Sequence, residues 1–146
     1  MLVVLDTNVL VSALLNPGGT PDAVVQMCLR GEITPVINEE ILFEYRDVLR
    51  RSKFSFALWK VDLLLLGLRA RALPIAAKPL DAAMPDESDR IFYETAKACN
   101  GYVVTGNLKH YPKNDPCVVT ARDVMEGKRG TLTAASPSAP PTAPRF

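Results

Sequence analysis

An α/β domain with a mainly parallel central sheet flanked by helices is what this sequence predicts, and three observations predict it. Leu2 to Leu5 form a continuous apolar run, the pattern of a strand covered on both faces. Similar short runs recur at Thr34 to Ile37, Tyr102 to Val104 and Cys117 to Val119. Segments with helical spacing or helix-starting signals separate them, and strands alternating with helices select parallel pairing through crossovers.

Taken in order, the first strand, Leu2 to Leu5, ends at Asp6, and Val9 to Leu15 reads as a short helix stopped by Asn16, Pro17, Gly18 and Gly19. Thr20 as N-cap and Pro21 in the first turn open a second helix running through Val24, Val25 and Leu29 to Gly31. After the strand at Thr34 to Ile37, Asn38 caps a long amphipathic helix with Ile41, Leu42, Tyr45, Val48 and Leu49 on one face. A further helix, Phe56 to Arg71, is apolar on most sides in its middle, which predicts burial or packing on a partner chain; Pro74 ends it. Ile75 and Ala76 read as a short strand and Ser88 to Ala98 as a helix. Tyr102 to Val104 and Cys117 to Val119 read as strands, and Ala121 to Glu126 as a closing helix. The apolar runs show no internal repeat.

A length of 146 residues with 48% hydrophobic content suits one folded domain, placed at residues 1–129. From Gly130 on, Ala, Ser, Thr and Pro without an apolar period predict a disordered tail over residues 130–146. Seventeen basic against 16 acidic residues leave a net charge of +1, so any nucleic-acid contact must use a local patch rather than a global positive field. Cys28, Cys99 and Cys117 are odd in number, widely spaced and set in apolar surroundings, which predicts buried thiols in a reducing compartment rather than disulfides or a zinc site. Met1 to Leu5 lacks a basic flank, and Val61 to Leu68 is too short to span a bilayer; a soluble, cytoplasmic protein is expected.

In open α/β sheets ligands bind outside the carboxyl ends of the strands, where Asp6 stands at the end of the first one. Asp6 is also a good N-cap for the helix after it, and the two roles are compatible. On the long helix, at about 100° per residue, Glu44 lies just outside the apolar arc, while Glu39, Glu40 and Asp47 lie further round. Such a border position points an acid toward a crevice, although a solvated glutamate is the simpler reading of Glu44 alone. Asp89 falls at the margin of the helix carrying Ile91, Phe92, Ala96 and Cys99, with Asp86 as its N-cap; an acidic first turn is also ordinary helix chemistry. Thr105 and Asn107, after the strand Tyr102 to Val104, bring a hydroxyl and an amide to the same edge as Asp6, and the Asn107 carbonyl can face a cation or a water. Clustered carboxylates repel, and a hard divalent cation with oxygen ligands, magnesium or manganese, keeps them ionised together. Such an ion activates water for in-line attack on a phosphodiester. His110, the sole histidine, is too isolated in sequence for a zinc site or a serine-type triad and reads as a surface residue.

Leu5-Asp6-Thr7-Asn8-Val9-Leu10, the Glu44 helix, Pro85-Asp86-Glu87-Ser88-Asp89-Arg90-Ile91-Phe92 and Val104-Thr105-Gly106-Asn107 together resemble the PIN domain, over about residues 1–127. The resemblance implies a three-layer, Rossmann-like parallel sheet and cleavage of single-stranded RNA with magnesium or manganese. It also implies a ribonuclease toxin of a toxin-antitoxin pair, often a homodimer, inhibited by a separate antitoxin. Asp6, Glu44 and Asp89 match the family's three metal-binding acids, and Thr7, Asn8 and Thr105 its supporting polar positions. Its fourth acidic position, commonly aspartate, is Asn107 here, and an amide binds magnesium more weakly than a carboxylate. That departure keeps open a catalytically weak relative acting as an RNA- or antitoxin-binding module. Candidate phosphate contacts are Arg46, Arg50, Arg51 and Lys53, with Arg90, Lys109 and Lys113 nearer the rim; a solvated charged face is an equally good reading of any one of them.

Two other folds that begin with a strand ending in aspartate are disfavoured. A haloacid-dehalogenase-type phosphatase needs a second acid two residues later to protonate the leaving group, where this chain has Asn8. A phosphate-receiving signalling domain needs an acid pair before its aspartate and a lysine on a late strand, and neither is found.

Overall fold

Five strands pair in parallel throughout, in the order β3-β2-β1-β4-β5. The computed structural model describes residues 1–127, so the predicted tail at 130–146 lies outside the described residues. The strands are β1 (Leu2–Leu5), β2 (Thr34–Ile37), β3 (Leu73–Pro74), β4 (Tyr102–Val104) and β5 (Val118–Val119). The helices are α1 (Thr7–Leu15), α2 (Thr20–Leu29), α3 (Glu39–Leu49), α4 (Leu58–Arg71), α5 (Arg90–Cys99) and α6 (Ala121–Gly127).

β1 is the hub. All four of its residues are buried, and it pairs with β2 on one edge and β4 on the other, with Leu5 opposite Val104. Because the chain builds outward from β1 in both directions, the order reverses there, and the carboxyl ends of β1 and β4 open side by side. The amide of Asp6 extends this pairing by donating to the Val104 carbonyl at 2.9 Å. α5 packs on β1, β2 and β4, while α2 meets α1, α4 and α6. At the end of α5, Asn100 takes a left-handed φ of 53°, and a Cβ on Gly101 would stand 2.8 Å from the Leu2 carbonyl oxygen. Glycine at 101 is therefore what lets the chain pass so close to β1.

Several elements differ from expectation for identifiable reasons. α1 begins at Thr7, two residues early, because the Asp6 carboxylate accepts from the Asn8 amide and caps it there. Gly19, not Thr20, occupies the N-cap of α2, which moves Thr20 into the helix. The third strand is Leu73–Pro74 rather than Ile75 and Ala76: proline has no N–H to give, but β3 is an edge, and the ladder bond comes from the Ile75 amide to the Ile37 carbonyl. The helix expected from Ser88 splits into a 3-10 turn, Glu87–Asp89, and α5, with Asp86 capping the turn through Ser88. α4 is two-sided: Val61, Leu65 and Leu68 are buried, whereas Trp59, Leu63 and Leu66 face outward. Cys28, Cys99 and Cys117 are all buried free thiols, and burial pushes Cys28 up to about 12. Among the described residues no helix is long and apolar enough to cross a membrane.

Candidate metal centre

β1 delivers Asp6 to the switch point as a 3% exposed carboxylate. Its Oδ1 accepts from the Asn8 amide at 3.1 Å. Its Oδ2 accepts from the Thr105 hydroxyl at 3.0 Å and the Tyr111 hydroxyl at 2.9 Å. Thr105, directly after β4, is in turn fixed by the Asn107 amide at 3.0 Å and the Asn8 side-chain amide at 3.4 Å, both donating to its oxygen. Asn8 closes the ring by accepting from the Gly106 amide at 3.0 Å. These bonds occupy Oδ2 fully and leave Oδ1 with one open lone pair. Burial raises the Asp6 carboxyl above its ordinary value, against the lowering effect of the three hydrogen bonds.

Asp89 enters from the other side, at the junction of the 3-10 turn and α5, 8% exposed. Burial, the negative charge of Asp6 and that of Asp86 push its carboxyl up to about 6, against the hydrogen bond from His110. The charge of Asp6 is thus felt at Asp89, although 83 residues (89 − 6) separate them in sequence. Among the described residues neither acid meets a lysine or arginine.

His110 corrects the sequence reading. Rather than standing alone on the surface, its Nδ1 lies 2.8 Å from Asp89 Oδ2 and 3.5 Å from Asp86 Oδ2. Its Nε2 lies 2.9 Å from Asn107 Nδ2. One ligand atom each from Asp86, Asp89 and His110 falls within 4.8 Å of the others. Asp6 and Glu44 are not members of that group. Glu44 is half-buried on α3, and among the described residues its carboxylate takes no hydrogen bond or ion pair. Its neighbour Tyr45 is anchored, donating to the Leu5 carbonyl at 2.6 Å.

The other expected residues divide by what occupies them. Thr7 is buried beside Asp6, and its hydroxyl has no hydrogen-bond partner among the described residues. Asn107 Oδ1 accepts from the Lys109 amide at 3.2 Å. Arg90 is committed to the fold, donating to Glu87 and to the carbonyls of Leu80 and Ala82. Arg50 pairs with Asp62 and Arg51 with Asp47, while Lys53 lies over Phe54. Arg46 and Lys109 are exposed, and among the described residues neither has an ion-pair partner.

Sequence reasoning missed Tyr111 and misjudged His110, because their partners come from β1 and from the entry to α5. The available signal was position: both follow β4, the strand beside β1. The carboxylates of Asp86 and Asp89 and the His110 imidazole form a donor set that fits a divalent cation.

A family model described as the PIN domain matches residues 2–109 of the chain. No curated protein and no solved structure matches it.

Proposed function

Because the chain belongs to the PIN domain family, whose members are generally nucleases, we propose that it is a divalent-metal-dependent endoribonuclease cleaving single-stranded RNA. In the same reading it is the cytoplasmic toxin of a toxin-antitoxin pair. The observation that carries the proposal is the burial of Asp6 beside Asp89 with no lysine or arginine on either acid among the described residues. A cation between or beside two such carboxylates offsets their mutual repulsion and favours the ionised form of both.

Bound magnesium or manganese would neutralise that charge and supply a water acidic enough to attack a phosphodiester. The chain's own residues prepare the acids. Thr105 and Tyr111 saturate Asp6 Oδ2, so Asp6 presents Oδ1 alone and in one orientation. Asp86 is fixed by Ser88, whose amide and hydroxyl both donate to its Oδ1, leaving Oδ2 toward His110. Glu44 is the third acid of the proposal, with an uncommitted carboxylate at the margin of α3. Arg46 and Lys109, exposed and without an ion-pair partner among the described residues, are placed to meet phosphates and to hold the strand without reading its sequence. The proposal includes a separate antitoxin and a second copy of this chain as partners; the outward Trp59, Leu63 and Leu66 of α4 support such pairing.

The test is cleavage of end-labelled single-stranded RNA and of its duplex, with magnesium, manganese or EDTA, by wild type and Asp6→Asn. Ion-dependent cutting of the single strand, reduced on the order of 100-fold or more by the substitution, is expected. Cutting that ignores EDTA and the substitution belongs to a contaminant, and RNA retained without being cut replaces the nuclease by a binding module.

A further inference from the structure

The nitrogen beside these acids has a chemistry that carboxylates lack. We propose that His110 is a ligand of the cation through Nδ1, forming with Asp86 and Asp89 a site that selects manganese or zinc over magnesium. This rests on the reading that a divalent cation binds among these acids.

The geometry is already close to that of a coordination sphere. Donor atoms about 2.1 Å from one ion lie roughly 3 to 3.5 Å from their neighbours in octahedral or tetrahedral arrangements. Nδ1 sits 2.8 Å from Asp89 Oδ2 and 3.5 Å from Asp86 Oδ2. The Ser88 contacts hold Asp86 Oδ1, so the oxygen facing the imidazole is the one left to bind. Magnesium takes oxygen ligands and keeps its waters, whereas a nitrogen donor favours the first-row transition ions in an order that starts at manganese and is much stronger at zinc. A carboxylate-only site gives magnesium no disadvantage of this kind.

Asn107 gains a role here. The Lys109 amide donates to Asn107 Oδ1, which orients the side chain so that its Nδ2 donates to His110 Nε2. Nε2 is then the acceptor and Nδ1 carries the proton, donated to Asp89. Ligation requires the opposite tautomer, with hydrogen on Nε2. An asparagine meets both needs: turning its amide by 180° offers Oδ1 to Nε2–H at the loss of one 3.2 Å bond to Lys109. Asparagine at this position thus acts on the histidine rather than on the ion.

His110 is the only histidine in the sequence, so its ring nitrogens report without assignment by mutagenesis. The experiment is ¹⁵N spectroscopy of the imidazole in the full chain, titrated with zinc and separately with magnesium. It is paired with calorimetric manganese and magnesium affinities for wild type, His110→Gln and Asp89→Asn. Zinc moving Nδ1 to a ligated shift and placing the proton on Nε2 is expected. His110→Gln is expected to weaken manganese on the order of 10-fold or more, and magnesium far less. Ions bound by the wild type and lost in Asp89→Asn, with the wild-type imidazole keeping its free tautomer throughout the titration, overturn the ligand assignment and leave the nuclease reading standing. An absence of ion binding at millimolar concentration overturns both. A ligated imidazole in a protein that cuts no RNA supports the site and removes the nuclease.

Discussion

Tyr111 donates a 2.9 Å hydrogen bond to the same oxygen of Asp6 that Thr105 holds at 3.0 Å, across 105 residues of chain. The two donors make Asp6 an oriented group rather than a mobile one. Tyr111→Phe keeps the ring and removes the donor. It is expected to lower unfolding free energy in urea by about 1.5–3 kcal/mol, the range for a hydrogen bond to a charged group. A change within error would mean that the Asp6 carboxylate is held by Thr105 alone.

Asp115 anchors the far end of the segment that carries His110 and Tyr111. Burial would raise its carboxyl, but the Lys97 ammonium, the Tyr93 hydroxyl and the Cys117 amide together bring it down to about 2 from an ordinary 3.8. Between these values the unfolded chain binds more protons than the folded one, so stability rises with pH through that window. The contribution is therefore complete above about pH 4 and lost toward pH 2. Asp115→Asn should be less stable than wild type at pH 6, and the gap should close as pH falls from 4 to 2 in parallel denaturation curves.

Asn38 joins three elements with one side chain. It caps α3 by accepting from the Ile41 amide at 2.9 Å, and its Nδ2 donates to Ile75 O at 3.1 Å and Thr95 Oγ1 at 2.9 Å. Asn38→Ala is expected to cost about 2–3 kcal/mol, a lost cap plus an unsatisfied acceptor. Asn38→Ser, which restores only the cap, should recover part of that loss in thermal unfolding.

Asn107→Asp tests the histidine from outside. A carboxylate accepts from Nε2–H and favours the tautomer that frees Nδ1, so manganese affinity is expected to rise on the order of 10-fold, the lower end of the 10–100-fold range such partners control. Asn107→Ala should lower it, both read by calorimetry.

The sheet was legible where burial makes a strand continuously apolar, as in Leu2–Leu5 and Tyr102–Val104, and α3 was legible from its cap and its one-sided pattern. β3 was misplaced by two residues because a proline inside a strand reads as a terminator, and only its edge position makes it admissible. Asp6 and Asp89 were legible from their places at element ends. His110 and Tyr111 were not, because nothing local distinguishes a surface imidazole from one facing two carboxylates across the sheet. Glu44 stays what the helical wheel made it, an acid on a margin with its carboxylate uncommitted.

The link from β4 to β5 has a consequence during synthesis. Asp6 leaves the ribosome 105 residues ahead of Tyr111, yet the two share a hydrogen bond. A nascent chain that stops short of residue 110 lacks both the imidazole and the phenol at the acidic end of the sheet. The site is thus assembled only once the segment after β4 has been translated, so a product truncated before it carries the acids without the frame that orients them.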